Sequence, residues 1–417
     1  MTGPSRLGLF SASGVELEYV IVDAESLDVR PISDRLLAAA AGAPAGENPG
    51  DVELGKISWS NELALHVVEM KTTDPAADLE CLPGLFQQHV ERANALLAAE
   101  GARLMPSAMH PWMDPHHEMQ LWPHDNSPVY EAFHRVFDCR GHGWANLQSV
   151  HVNLPFADDA EFGRLHAAVR LVLPLLPALA ASSPVMDGRL TGFLDNRLEV
   201  YRTNSARIPS ISGDVVPEPV FTETEYGRAI FQRMYRDIAP HDPSGVLQHE
   251  WLNARGAIAR FDRGAIEIRL LDVQECPVAD LAIVAAVRGL LQFLVEERWT
   301  NLAAQKEMPT APLAAMLRAT SRDADQAMIE DASYLGHFGI SGKSRKTANE
   351  LWRHVMESLD LPLESPWRPP LDCILDRGPL ARRIVRSLGG DATPASLRRI
   401  YAQLCDSLAA GTMFDEG

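Results

Sequence analysis

Two glutamates alternate with apolar residues in Ser13-Gly14-Val15-Glu16-Leu17-Glu18-Tyr19-Val20-Ile21-Val22-Asp23, close to the start of a 417-residue chain. A period of two in β-branched and aromatic company predicts a strand. Val15, Leu17 and Tyr19 then take one face and Glu16 and Glu18 the other, with the two carboxylates about 7 Å apart. Anions that close need a cation between them, and hard Mg²⁺ takes carboxylate and water oxygens. The plain alternative is a half-exposed strand with a solvated acidic face, so the rest of the chain has to decide.

The length suits one large or two ordinary domains with ample core. A net charge of -18 at pH 7 argues against general nucleic-acid binding, which requires a basic face, and against anionic membranes. A polyanion such as ATP would need a locally positive site or a bound metal. The apolar run Leu165 to Ala181 is interrupted by Arg170, Pro174 and Pro177, and Leu281 to Leu294 by Arg288, so neither reads as a membrane span. The opening Met-Thr-Gly-Pro-Ser-Arg lacks a basic segment leading into a long apolar core, which predicts no secretory leader. Five scattered cysteines, never paired as C-x-x-C, predict reduced thiols in the cytoplasm.

Ser58 to Lys71 reads as a second strand region carrying Glu62 and Glu69. Their opposite parity means an unbroken strand cannot aim both at one site, so a bulge or a loop beginning at Glu62 is required. Ala76 to Gly101 has helical spacing, with Leu85, His89, Ala93 and Leu96 near one stripe, and Val129 to Phe137 reads as a short amphipathic helix. Gln148 to Leu154 alternates, with Ser149, His151 and Asn153 sharing a face. Leu165 to Ala181 predicts a buried helix kinked at its prolines. The irregular tract Ser182 to Pro219 is of the kind that carries function. Gly264 to Asp272 is a late strand placing Glu267 and Arg269 together, and from Val278 onward the pattern is mainly helical.

The polar faces collect Glu16, Glu18, Glu69, His151 and Glu267, with Glu62 a weaker member. Oxygen-rich ligation with one imidazole suits Mg²⁺, or Mn²⁺ in its place, better than structural zinc. A basic set, Arg255, Arg260, Arg263 and Arg269 with Arg197 upstream, suits an anionic substrate because the guanidinium fork matches phosphate and carboxylate; Arg255 and Arg260 are the candidates for the nucleotide. Two decoys fail. Gly336 to Ser344 resembles a phosphate loop, but its first glycine is one position early and no strand precedes it. His110, His116, His117 and His124 crowd one loop without cysteine or a helical H-x-x-x-H spacing.

Gly14-Val-Glu16-Leu-Glu18, the Glu69 strand, Gln148-Ser-Val-His151-Val-Asn, Ala181-Ser-Ser-Pro184 with Gly188 and Thr191-Gly192, and Ile266-Glu267-Ile-Arg269 follow one another in an order that resembles the bacterial glutamate–cysteine ligase type 2 family, carboxylate–amine ligases related to glutamine synthetase. The resemblance implies an α+β fold: a curved antiparallel sheet forming a funnel, helices outside, and Mg²⁺-ATP at the wide mouth. It implies a catalytic region over 1–300 and a helical C-terminal extension over 301–417 packed on it. Glu16, Glu18, Glu69, His151, Glu267 and Glu62 would be metal ligands. Arg269 would face the transferred phosphoryl group or the substrate carboxylate, and Arg197 the amino-acid substrate. Asn153 stands where many relatives have a second histidine. The implied activity is ATP-dependent joining of a carboxylate, the γ-carboxylate of glutamate, to an amine such as cysteine through an acyl phosphate. A guanidino- or amide-directed phosphotransferase and a catalytically lapsed, regulatory Mg²⁺-ATP-binding protein are the alternatives. Expected partners are small molecules, with assembly into homo-oligomers left open.

Overall fold

The computed structural model describes residues 6–44, 46–342, 344–362 and 364–415. Met1 to Ser5, most of the segment read for a leader, and Lys343 of the rejected phosphate loop lie outside them. The architecture is mixed: helices pack around an eight-stranded sheet. Its strands are β1 (Gly14–Asp23), β2 (Asp51–Glu53), β3 (Ile57–Asn61), β4 (Val67–Thr72), β5 (Ala102–Met105), β6 (Ser149–Pro155), β7 (Ala257–Arg260) and β8 (Ala265–Asp272). The order is β2-β3-β4-β1-β6-β8-β7, with β5 also paired to β1. Each of these neighbouring pairs is antiparallel.

β1 is central because its side chains tolerate burial on both sides: its first half is flanked by β4 and β6 and its end by β5. Val15, Leu17, Tyr19 and Ile21 are all fully buried in the main core. The predicted second strand is two, β3 and β4, joined by a turn that starts at Glu62, as the parity conflict required. The predicted helix after it spans Leu82–Ala98 and buries Leu82, Phe86, Val90, Ala93 and Leu97. That corrects the expected stripe by about one position: the buried set is wholly apolar, whereas His89 lies at its border and accepts a hydrogen bond from Trp59 Nε1 at Nδ1. The proline-interrupted run is a helix Asp159–Val172, a 3₁₀ turn Leu173–Leu175 and a short helix Pro177–Ala180.

The helix Pro277–Val295 is long and apolar enough to cross a membrane by composition, yet 67% of it is buried within the protein. It packs on the helices Asp159–Val172, Leu82–Ala98 and Arg368–Arg377, which makes it a core helix. Helices after residue 300 share the core: Leu351 and Trp352 join the main cluster, while Leu380, Ile384 and Tyr401 pack with Val20, Val22 and Met105 from β1 and β5.

β8 carries one irregularity. Ile268 pairs with Val152 but Leu271 with Val150, so one extra residue lies between them. Such a bulge reverses which face the following side chains take.

Candidate functional site

Strand alternation brings the acids onto one face of the sheet, and register sets their neighbours. Glu18 lies opposite Glu69, Glu16 opposite His151 on one side and Lys71 on the other, and Glu267 opposite Asn153. The imidazole of His151 is the hub. Its Nδ1 lies 2.9 Å from Glu16 Oε2 and 4.0 Å from Glu267 Oε1, and its Nε2 lies 2.9 Å from Ser149 Oγ and 3.6 Å from Glu18 Oε1. Ser149 holds Glu18 Oε2 through both its backbone N–H (2.7 Å) and its hydroxyl (3.0 Å). Since that hydroxyl proton is committed to Glu18, His151 Nε2 donates to Ser149 Oγ while Nδ1 donates to Glu16, so the ring carries both protons.

The charges follow from this geometry. Burial disfavours the His151 cation, but Glu16 and Glu18 outweigh it and lift its pKa to about 9. Burial likewise raises Glu16, yet the His151 bond, reinforced by Lys71, brings it down to about 2. Glu69 moves the other way: burial and then the charge of Glu16 push it up to about 7. Glu62 in the β3–β4 turn is pushed well above the carboxylate range by burial and by Glu18 and Glu69. Five carboxyl groups share this pocket with four cationic side chains, His151, Lys71, Arg260 and Arg269, and the two whose pKa is raised, Glu62 and Glu69, are the ones a bound cation would bring into the charged form.

Among the described residues, two sets of three side chains can each offer ligand atoms within 4.8 Å of one another: Glu16, Glu69 and His151, and Glu18, Glu62 and Glu69. Glu69 belongs to both. Its Oε1 is already held by Ser60 Oγ at 2.6 Å and Lys71 Nζ at 3.2 Å. The donor set, carboxylate oxygens with one imidazole, fits Mg²⁺ or Mn²⁺.

The arginines divide. Arg269 donates from Nε to Glu267 Oε1 at 2.6 Å, and Arg260 Nη1 lies 3.5 Å from Glu267 Oε2, so both belong to the cluster. Arg197, on the helix Asn196–Tyr201, donates from Nε to Asp272 at 2.5 Å and from Nη1 to the Arg269 carbonyl at 3.2 Å, leaving Nη2 buried without a partner. Arg255 is a correction to the expected nucleotide set. Its fork closes on Glu218 through two bonds of 2.6 Å, and its third nitrogen serves Ser210 O, Ile211 O and Asn253 Oδ1. A guanidinium consumed this way braces a loop. The histidine-rich loop holds no three-ligand set among the described residues; its backbone instead bonds Leu63 and Leu65, steadying the turn that carries Glu62.

Sequence reasoning passed over Lys71, Ser60 and Asp272. Lys71 shares parity with Glu69 in β4, so alternation alone places it on the acidic face. Asp272 was hidden by the bulge.

A family model described as glutamate–cysteine ligase family 2 matches residues 12–401. An uncharacterised protein of Archaeoglobus fulgidus is 30% identical over 396 residues, 95% of this chain and 97% of its own length. A Corynebacterium glutamicum protein provisionally named glutamate–cysteine ligase 2 is 25% identical over 338 residues, 76% of this chain and 79% of its own. Among solved structures, a glutamate–cysteine ligase of Francisella tularensis in complex with AMP shares the fold at a TM-score of 0.56 and 12% identity, over 95% of this chain and 88% of that one. A bifunctional glutathione synthetase of Pasteurella multocida also gives 0.56 and 12%, over 96% of this chain; here the chain spans about half, 52%, of that enzyme.

Proposed function

We propose, for a chain that belongs to glutamate–cysteine ligase family 2 and is thereby an ATP-dependent carbon–nitrogen ligase, that it joins the γ-carboxylate of glutamate to an amine such as cysteine. In this reading a carboxylate oxygen attacks the γ-phosphorus of ATP and ADP leaves. The amine then attacks the acyl carbon of the resulting acyl phosphate, and phosphate departs as the nitrogen loses a proton. The convergence of Glu16, Glu18, Glu69, His151 and Glu267 from four strands, with Arg260 and Arg269 beside them, is the observation that carries the proposal. The bond-making groups belong to the substrates, so the protein's part is positioning and charge neutralisation.

Glu16, Glu18, Glu62, Glu69 and Glu267, with His151 once it gives up a ring proton, would hold Mg²⁺ or Mn²⁺, which when bound neutralises phosphate charge. Arg260 and Arg269 supply fixed positive charge toward the phosphoryl group, and Arg197 offers Nη2 to the amino-acid carboxylate. The acidic face would form the wall of a funnel of the glutamine-synthetase kind. Residues 1–300 would carry the site and 301–417 form the helical extension. Five free cysteines fit a cytoplasmic setting. The family assignment favours turnover over a lapsed regulator or a phosphotransferase. The test is incubation with ATP, Mg²⁺, glutamate and a panel of amines that includes cysteine: ADP and phosphate should appear only when an amine is present. Absence of amine-dependent release across the panel, with no nucleotide binding, sinks the reading.

A further inference from the structure

Asp51, Ser60, Glu69 and Glu18 form one transverse row across β2, β3, β4 and β1, each opposite the next. Lys71 leans onto three of the four. Its Nζ lies 2.8 Å from Asp51 Oδ2, 2.8 Å from Ser60 Oγ and 3.2 Å from Glu69 Oε1. Glu69 is the carboxylate common to both ligand sets, so the ammonium sits on the residue that links them.

The choice of lysine is informative in this chain. It has five lysines, Lys56, Lys71, Lys306, Lys343 and Lys346, and the other 33 of its 38 basic residues are arginine. Arginine is a rigid fork suited to permanent pairing, whereas an ammonium on four methylenes is a point charge that changes partners easily. The Lys71 side chain is 28% exposed, against 9% for Arg260, so solvent and ligand can reach it. A divalent cation ligated to Glu69 would lie a few ångströms from this ammonium, and like charges at that distance repel strongly in a half-buried pocket.

We infer that Lys71 is a stand-in cation that holds Glu69 until nucleotide arrives, making divalent binding depend on the triphosphate. The inference rests on the ligase reading above. A cation entering with a triphosphate brings anionic oxygens that Lys71 can take in exchange for Glu69; a cation entering alone brings none. Lys71 is thus a positioning residue that sets the order of loading.

Mn²⁺ binding to the nucleotide-free full chain, followed by electron paramagnetic resonance, tests it. Lys71→Met should bind Mn²⁺ at least tenfold tighter than the parent protein, Lys71→Arg should bind like the parent, and a non-hydrolysable ATP analogue should narrow the gap. A second measurement is read on the parent protein, with a substitution used only for assignment. With lysines reductively methylated in ¹³C, the Lys71 resonance, assigned by its absence from Lys71→Arg, should shift when analogue and Mg²⁺ are added together. Unchanged or weaker Mn²⁺ binding by folded Lys71→Met, or a Lys71 resonance indifferent to Mg²⁺ and analogue, overturns the inference while leaving the ligase reading standing. A parent protein that binds neither Mn²⁺ nor nucleotide overturns both.

Discussion

Charge is buried in two regions of this protein under opposite rules. In the site, five acids crowd together, and Glu16, Glu18, Glu62, Glu69 and Glu267 share His151, Lys71, Arg260 and Arg269, with the pKa of Glu62 and of Glu69 left raised. Elsewhere buried guanidinium groups are finished with carbonyls, and those of Arg383 and Arg255 are also matched by a carboxylate. Arg383 pairs with Glu275 at 2.6 Å, both fully buried, and bonds the carbonyls of Gly378 and Phe414. Arg255 does the same with Glu218, and Arg170 donates to the carbonyls of Pro217 and Met308. Histidines follow the same division. His151 sits among acids and holds two protons, whereas His66, His110 and His166 are neutral and bonded to the carbonyls of Ala145, Leu27 and Val220. A matched group is there for the fold; crowded carboxyls whose pKa values are pushed up are there for a cation that arrives from outside.

The sharpest way to break this division is to damage each region and read both stability and turnover. Arg383→Leu strands the Glu275 charge in the core, and should lower the unfolding free energy in urea by about 3–5 kcal/mol; a loss below about 1 kcal/mol would show the pair to be dispensable. Glu69→Gln should invert the pattern. Amine-dependent ADP release should fall at least a hundredfold, about 2.7 kcal/mol, while the melting temperature holds or rises because one repelling anion is gone. A variant that melts early and still turns over would erase the distinction.

The smallest effect concerns pH. Burial depresses His66 and His110 to about 4 and His166 to about 3, from an ordinary value of 6.5. Below pH 6.5 the unfolded chain therefore takes up protons that the folded chain refuses. The stability these groups contribute is present above 6.5 and is lost as pH falls toward 4, by at most about 1.4 kcal/mol per pH unit for each histidine. Urea midpoints for the parent and for His110→Gln, compared from pH 7 to pH 5, should show the shallower slope in the variant. Equal slopes would mean that His110 titrates alike in both states.

Much of the site could be read from spacing because its ligands sit in strands, where a period of two converts position directly into facing. Glu16 and Glu18, Ser149 and His151, and Glu267 and Arg269 all come out on the acidic face by counting. Glu62 was legible as a conflict, since the wrong parity forced a chain reversal that the β3–β4 turn supplies. Arg255 was not legible. It stands five residues before Arg260 and looks like it, but its fate is set by Glu218, 37 positions upstream in an irregular tract. Local pattern carries no information about such a partner. The helix Leu82–Ala98 was found with its face rotated by about one residue, because periodicity fixes a stripe only to within the width of one side chain.

The extra residue in β8 has a further meaning, in terms of chain length. Strict alternation from Glu267 would put Leu271 on the acidic face and Asp272 inward; the added residue instead pairs Asp272 with Ser149, where its oxygens receive Arg197, Ser182 and Ser183. Apart from Arg269, which the site uses, residue number in this stretch therefore matters as much as residue identity. Deleting Leu270 would leave Glu267, Arg269 and the acids of the other strands in place, yet turn Asp272 away and release Arg197. At Leu270 the chain should accept an apolar substitution far more readily than a change of one in its count.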